Sequence, residues 1–216
     1  MEEQEAEGGD RAEGGGLRGR RGGGGRLHSA SAPDSPRPGS PTSFAQFSRW
    51  VPGTNGSLEF EFSTREPDGL LLYTDDGGSY EFFELKLVEG AVRLHYNTGG
   101  GARLLTAGRG LHDGAWHRVR VTRRLEQTHL TVDDEIETRV VKSLNHEFGN
   151  PDTNSFVYLG GLPLLLTRQV GNRLTLPVVT LEPRFAGQLR GLTYTRGNGL
   201  ARSQNMIASQ VSHSLY

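Results

Sequence analysis

Carboxylates spaced two apart are the first place to look for chemistry, because glycoside hydrolysis needs two of them facing each other across a cleft. Glu59 and Glu61 alternate with Leu58, Phe60 and Phe62, while Glu84 and Lys86 alternate with Phe83, Leu85 and Leu87. Residues two apart on a strand stand side by side on one face, so neither pair converges and a solvated outer face is the simpler reading. The seven histidines include no His-x-x-x-His pair, and no Gly-x-Ser-x-Gly elbow is present. The chain has no cysteine, which excludes a thiolate zinc site, a cysteine nucleophile and a disulfide framework. Catalysis is therefore not expected. His117 reads as a strand residue beside Trp116, and Trp116 as core. Two features point towards binding instead. Arg118, Arg120, Arg123 and Arg124 form the densest basic cluster of the patterned region, with Arg118 and Arg120 on one outer face and Arg123–Arg124 continuing it into a turn. Asn55-Gly56-Ser57 is an N-glycosylation sequon, read as a turn before a strand.

Strands and turns must position these residues. Residues 57–64 alternate strictly, with Leu58, Phe60 and Phe62 opposite Glu59, Glu61 and Ser63, the period of a half-buried strand. Pro67-Asp68-Gly69 turns the chain into the apolar run Gly69-Leu-Leu-Leu-Tyr73, and Asp75-Asp76-Gly77-Gly78 turns it again. Residues 81–87 and 91–97 alternate on either side of Glu89-Gly90, which predicts a tight hairpin. Further strands are predicted near 103–106, over 116–122, 128–132 and 156–159, more weakly around 173–181, and over 185–194. About ten short strands at such spacing predict an all-β, two-sheet antiparallel sandwich over residues 43–199.

The ends differ. Residues 1–42 hold 11 of the 31 glycines and 4 of the 10 prolines, with Leu17 and Leu27 as the large apolar residues. So little apolar surface cannot offset the entropy of ordering, which predicts a disordered tail. Its Arg18–Arg26 block resembles both an RGG-type RNA-binding stretch and a basic processing site, and a solvated low-complexity tail remains the plain reading. Residues 200–216 read as a polar tail, either a frayed helix or a disordered end. With 24 basic and 25 acidic residues the chain is not built as a nucleic-acid or anionic-membrane binder. No run is as apolar as a membrane span, and the acidic opening MEEQEAEGGD is not a secretory signal. By composition alone this is a soluble protein of a reducing compartment.

The order of motifs says otherwise. Leu58-Glu-Phe-Glu-Phe62, Gly69-Leu-Leu-Leu-Tyr73, Phe83-Glu-Leu-Lys-Leu87, Asp113-Gly-Ala-Trp-His117, Leu130-Thr-Val-Asp133, Tyr158-Leu-Gly-Gly-Leu-Pro163 and Phe185-Ala-Gly-Gln-Leu-Arg-Gly-Leu192 together resemble a laminin G (LNS) domain. Trp50, Asp75-Asp76 and Pro183-Arg-Phe-Ala-Gly187 resemble most the first such domain of an α-neurexin of invertebrate type. Gln188 stands where many laminin G domains carry a cysteine. The resemblance implies a jelly-roll, lectin-like sandwich and an extracellular or cell-surface recognition module of an adhesion receptor in synapse organisation. Such a module is non-enzymatic and binds protein partners at a loop rim formed by residues 74–80, 97–102, 145–155 and 163–176. It further implies a fragment of a longer receptor or a short secreted form. A calcium ion is implied near Glu81, the Thr98 carbonyl, Asn150 and Asp152, with help from Asp75 and Asp76. Glu81 stands where aspartate is usual, so the expected affinity is low, and ordinary turn carboxylates are the alternative. By the same resemblance Arg118, Arg120, Arg123 and Arg124 would hold sulfated glycans, since guanidinium groups bind such anions in bidentate fashion. The competing reading is a secreted binder of heparan sulfate-like glycans, or of a small molecule between the sheets.

Overall fold

A computed structural model describes residues 43–140, 148, 152–168 and 174–210. The segment read as a disordered tail, 1–42, lies outside them. Along the chain run β1 (Phe44–Phe47), β2 (Asn55–Thr64), β3 (Gly69–Asp75), β4 (Phe82–Val88), β5 (Ala91–Asn97), β6 (Arg103–Ala107), β7 (His117–Arg124), β8 (Gln127–Val132) and β9 (Glu135–Val140). They are followed by β10 (Val157–Leu159), a short helix α1 (Leu164–Arg168), a 3₁₀ turn at Pro177–Leu181, β11 (Gly187–Arg196), β12 (Arg202–Ser203) and β13 (Met206–Gln210). Among the described residues one sheet is ordered β13-β1-β10-β3-β4-β5-β6 and the other β12-β11-β2-β7-β8-β9, with antiparallel ladders throughout. This is the expected jelly-roll sandwich. No described helix is long and apolar enough to cross a membrane.

The period-2 pattern explains how the sheets meet. Leu58, Phe60 and Phe62 of β2 and Val119 and Val121 of β7 face Phe83, Leu85, Leu94 and Tyr96 of the other sheet, all buried. These side chains fill the inter-sheet space that a bound small molecule would have to occupy. Glu89-Gly90 closes the β4–β5 hairpin with both residues at positive φ, 52° and 75°, the backbone a two-residue turn needs for strands of right-handed twist. A side chain at Gly90 would also meet His112 Nδ1 at 2.4 Å.

The seven-stranded sheet is covered on its outer face too. Leu162 and Val179 pack there with Phe44, Leu70, Tyr73, Phe82 and Tyr158, and Leu166, Leu174 and Leu176 lean on the same cluster. Every residue of β3 is consequently buried. Glu84 does not face solvent as expected. It is 1% exposed under this cover, with Lys86 Nζ at 3.7 Å and His95 Nδ1 at 3.3 Å.

Other expectations also change. The weak strand near 173–181 is the 3₁₀ turn, because Pro177 cannot donate to a ladder. Residues read as a polar tail supply β12, which extends the six-stranded sheet, and β13, which pairs with β1. β9 was not anticipated because its face pattern is uniformly exposed: it is an edge strand, and Glu135, Glu137 and Arg139 keep that edge soluble. Trp116 is not core. It is 37% exposed, with the Arg190 guanidinium 3.8 Å above its ring, and Trp50 is the buried indole, edge-on to Phe83. Trp50→Ala should therefore cost on the order of 3–5 kcal/mol, while Trp116→Ala should cost about 1 kcal/mol, mostly its cation–π contact. Urea unfolding of the two variants measures both, and equal costs would contradict this assignment of the indoles.

Candidate functional site

The described rim is organised by two adjacent carboxylates. Asp75 ends β3, where the strand leaves both layers of cover, and its carboxylate is fully buried. One oxygen accepts from the Tyr73 hydroxyl at 2.8 Å and from Thr175 N–H at 3.0 Å, and the other from Gly77 N–H at 3.1 Å. Its backbone exchanges hydrogen bonds with Ser155. Asp76 accepts from the N–H groups of Ser79, Tyr80 and Glu81 at 2.9–3.1 Å and from the Thr175 hydroxyl at 2.7 Å. Burial pushes the Asp76 carboxyl up, but the donors from Tyr80, Thr175, Glu81 and Ser79 outweigh it and hold the group below the usual aspartate range. Gly77 is needed between them: its φ is +82°, and a Cβ there would lie 2.3 Å from the Thr153 carbonyl. Residues 75–81, 153–155 and 174–176 are thus one bonded unit, with Tyr80 projecting from it at 54% exposure.

Of the residues implied for a calcium ion, Asp75 and Asp76 are engaged by protein donors. Both oxygens of Asp75 and of Asp76 are already spent on protein donors. Glu81 and Thr98 do flank the paired residues Phe82 and Asn97, but both are buried, and Glu81 lies within electrostatic reach of the buried Arg123. Asp152 sits in an exposed turn, and Asn150 lies outside the described residues. Among the described residues no three His, Asp or Glu side chains are gathered.

The arginine cluster is divided by strand parity. Arg118 and Arg120 point outward as expected, but each meets a carboxylate across the β2–β7 ladder. Arg118 Nη2 lies 3.3 Å from Glu61, Arg120 bonds Glu59, and Arg190 Nε donates to Glu61 at 2.7 Å. Hydrogen bonds from Arg190 first and then from Arg118 lower the Glu61 carboxyl against the opposing effect of burial. Arg123 does not belong to this face at all. Two residues on from Val121 it points inward, 2% exposed, with its guanidinium 5.9 Å from the Phe83 ring. Arg124 is exposed at the end of the strand. The glycosylation residue Asn55 is the first residue of β2, not a turn residue, and is partly exposed opposite Arg124, with Ser57 Oγ 2.9 Å from Thr195 Oγ1.

His117 bridges two turns, with Nδ1 2.8 Å from Asp133 and Nε2 3.1 Å from Asp113. Both ring nitrogens are taken, so it has no free lone pair with which to act as a base. Sequence spacing hid this contact, because Asp133 reaches it only through the β7–β8 pairing. Burial alone would lower the imidazole, but Asp133 and Asp113 outweigh it and raise its pKa.

Two outcomes follow. Millimolar calcium should leave the melting temperature unchanged, whereas Asp76→Asn, which turns an NH₂ towards backbone donors, should destabilise by about 2–3 kcal/mol in urea unfolding. A calcium-induced rise in the wild-type melting temperature would refute the first part. The His117 clamp is fully stabilising below the unfolded imidazole pKa of about 6.5 and is lost as pH rises through the higher folded value. The stability gap between wild type and His117→Gln should accordingly shrink from pH 6 to pH 8. His129, lowered by burial and Arg124, titrates with the opposite sign and cancels in that difference.

Comparison with known proteins agrees with this architecture. The laminin G domain family matches residues 62–197. The chain is 51% identical over 172 residues to Neurexin 1 of Drosophila melanogaster, covering 80% of this chain and 9% of that protein. It is 35% identical over 156 residues to human Neurexin-2, covering 71% of this chain and 9% of that protein. The chain thus spans about a tenth of the length of these relatives. The mouse laminin alpha1 chain, domains LG4-5, superposes with a TM-score of 0.61 at 19% identity, over 82% of this chain and 45% of that one, a likeness of fold. With a family match across both sheets and half of its aligned residues shared with a neurexin, the chain belongs to the laminin G domain family.

Proposed function

We propose that this domain is a non-enzymatic, extracellular recognition module of a neurexin-like cell-adhesion receptor that binds a protein partner at its loop rim. The observation that carries this reading is the rim itself. Two buried aspartates hold three loops in one conformation and leave Tyr80 exposed, and a pre-ordered loop bearing a rigid aromatic is what a protein interface favours. The similarity to neurexins supports the adhesion setting and a place in synapse organisation. The chemistry of the carboxylates and histidines supports the absence of catalysis. Glu59 and Glu61 are bound to arginines, Glu84 lies under cover beside Lys86, and His117 has both nitrogens engaged.

The full chain, purified and applied to cultured neurons, should bind their surface, and prior trypsin treatment of the cells should abolish binding. Tyr80→Ala should weaken binding by roughly tenfold or more, as loss of an interfacial aromatic does. Binding that survives trypsin but disappears after heparinase would overturn the protein-partner reading in favour of a glycan.

A further inference from the structure

No Asp or Glu follows Glu182, yet arginines recur at 184, 190, 196 and 202. The first two are spoken for. Arg184 donates to the Ser43 and Leu162 carbonyls, and Arg190 is bound to Glu61 and stacked on Trp116. Arg196 and Arg202 are exposed, and with Arg49 they line a groove of about 720 Å³. None of these three guanidiniums makes an ion pair among the described residues, in contrast to Arg118, Arg120 and Arg190 on the neighbouring face. Arg49 also lies 5.5 Å from the Phe156 ring, and in a chain of net charge −1 three cations without an ion pair among the described residues around one concavity are a local excess that attracts anions.

The groove is a built feature. Gln204 ties its floor together, accepting from Ser48 Oγ at 2.6 Å and donating to the Arg202 carbonyl at 2.8 Å. The Tyr194 hydroxyl donates to the Ser48 carbonyl at 3.2 Å. Trp50 and Tyr194 contribute to the lining, and Leu200 stands at its edge 90% exposed. Arg49 also lines the smaller cleft beside Asp75 and Gly77, and Asn154 donates to the Trp50 carbonyl, so the groove opens next to the aspartate-bound rim.

Resting on the reading of this domain as a protein-recognition module, we infer that the groove between Arg49, Arg196 and Arg202 docks an acidic peptide segment of the partner. Carboxylates of that segment pair with the three guanidiniums, and an apolar side chain covers Leu200. The exposed leucine decides between anions: a sulfated saccharide satisfies the arginines but has no apolar side chain to lay against it, whereas a peptide offers both.

The test uses the full chain and a fluorescein-labelled synthetic peptide rich in Asp and Glu with a single leucine, followed by anisotropy. The peptide should bind with an affinity that falls as salt rises, and its Gln/Asn counterpart should not bind. The triple variant Arg49→Gln/Arg196→Gln/Arg202→Gln should lose at least about tenfold in affinity. Leu200→Ser should lose roughly threefold through lost apolar contact, and Arg118→Gln/Arg120→Gln should bind as wild type does. All six are exposed positions, and unchanged melting temperatures would show that each variant is folded. Undiminished binding by the triple variant, or a heparin oligosaccharide that binds these arginines where the peptide does not, overturns the proposal. Neuronal binding separates the two readings. If the triple variant still binds cells while Tyr80→Ala does not, the groove is wrong and the rim stands; if neither wild type nor variants bind, the recognition reading itself has failed.

Discussion

A charged group at the end of a strand covered on both faces has no water to fall back on, and Asp75 is in that position. Its strand is buried along its whole length because the seven-stranded sheet packs on the other sheet below and on the 162–182 segment above. Burying a carboxylate is tolerable when several donors are aimed at it. Here those donors come from Tyr73, Gly77 and Thr175, and Asp76 recruits four more from residues 79–81 and Thr175. Meeting that demand brings three distant pieces of chain to one end of the sandwich. The rim is ordered because the strand beneath it needs its charges satisfied.

The same requirement for partners sorts the arginines. On the outer face of β2, β7 and β11, antiparallel register sets Glu59 opposite Arg120 and Glu61 opposite Arg118 and Arg190, so two carboxylates offset most of the charge of three guanidiniums. Cross-strand pairs of this kind are worth only tenths to about one kcal/mol each at an exposed site. Their larger consequence is that this face has little field left with which to attract an anion. Arg196 lies opposite Gly56 and Arg202 opposite Tyr194, with no carboxylate in register, and Arg49 adds a third positive charge to the same groove.

Much of the fold was legible from the alternation in β2, β4, β5 and β7, because a half-buried strand writes its burial directly into period 2. The reading failed where that assumption failed. Glu84 looked outward-facing because a third layer over its sheet cannot be inferred from its own strand. Trp116 looked like core because indoles usually are, and only the placement of Arg190 across β11 explains its exposed stacking. β12 and β13 are short or edge strands whose pairing depends on neighbours rather than on any apolar period, while β9 alternates Ile136, Thr138 and Val140 with charged residues but is exposed on both faces. Arg123 was grouped with its neighbours in sequence although parity from Val121 already directed it inward.

Turns and alternating strands determined by themselves that this chain is an antiparallel sandwich, since hydrophobic period and turn chemistry are local properties, and the ordered motifs carried the resemblance to laminin G domains. The absence of cysteine likewise excluded thiol chemistry without any structure. Which charges are satisfied and which remain free was decided only by the tertiary structure. A salt bridge or a capped carboxylate depends on what lies across the ladder or over the sheet, often a hundred residues or more away, as Thr175 is from Asp75 and Arg190 from Glu61. Asp75 and Asp76 therefore became the fastening of the rim, Arg118 and Arg120 became paired, and Arg49, Arg196 and Arg202 came together around a groove lined from the segment before β2, the end of β11 and the chain through β12.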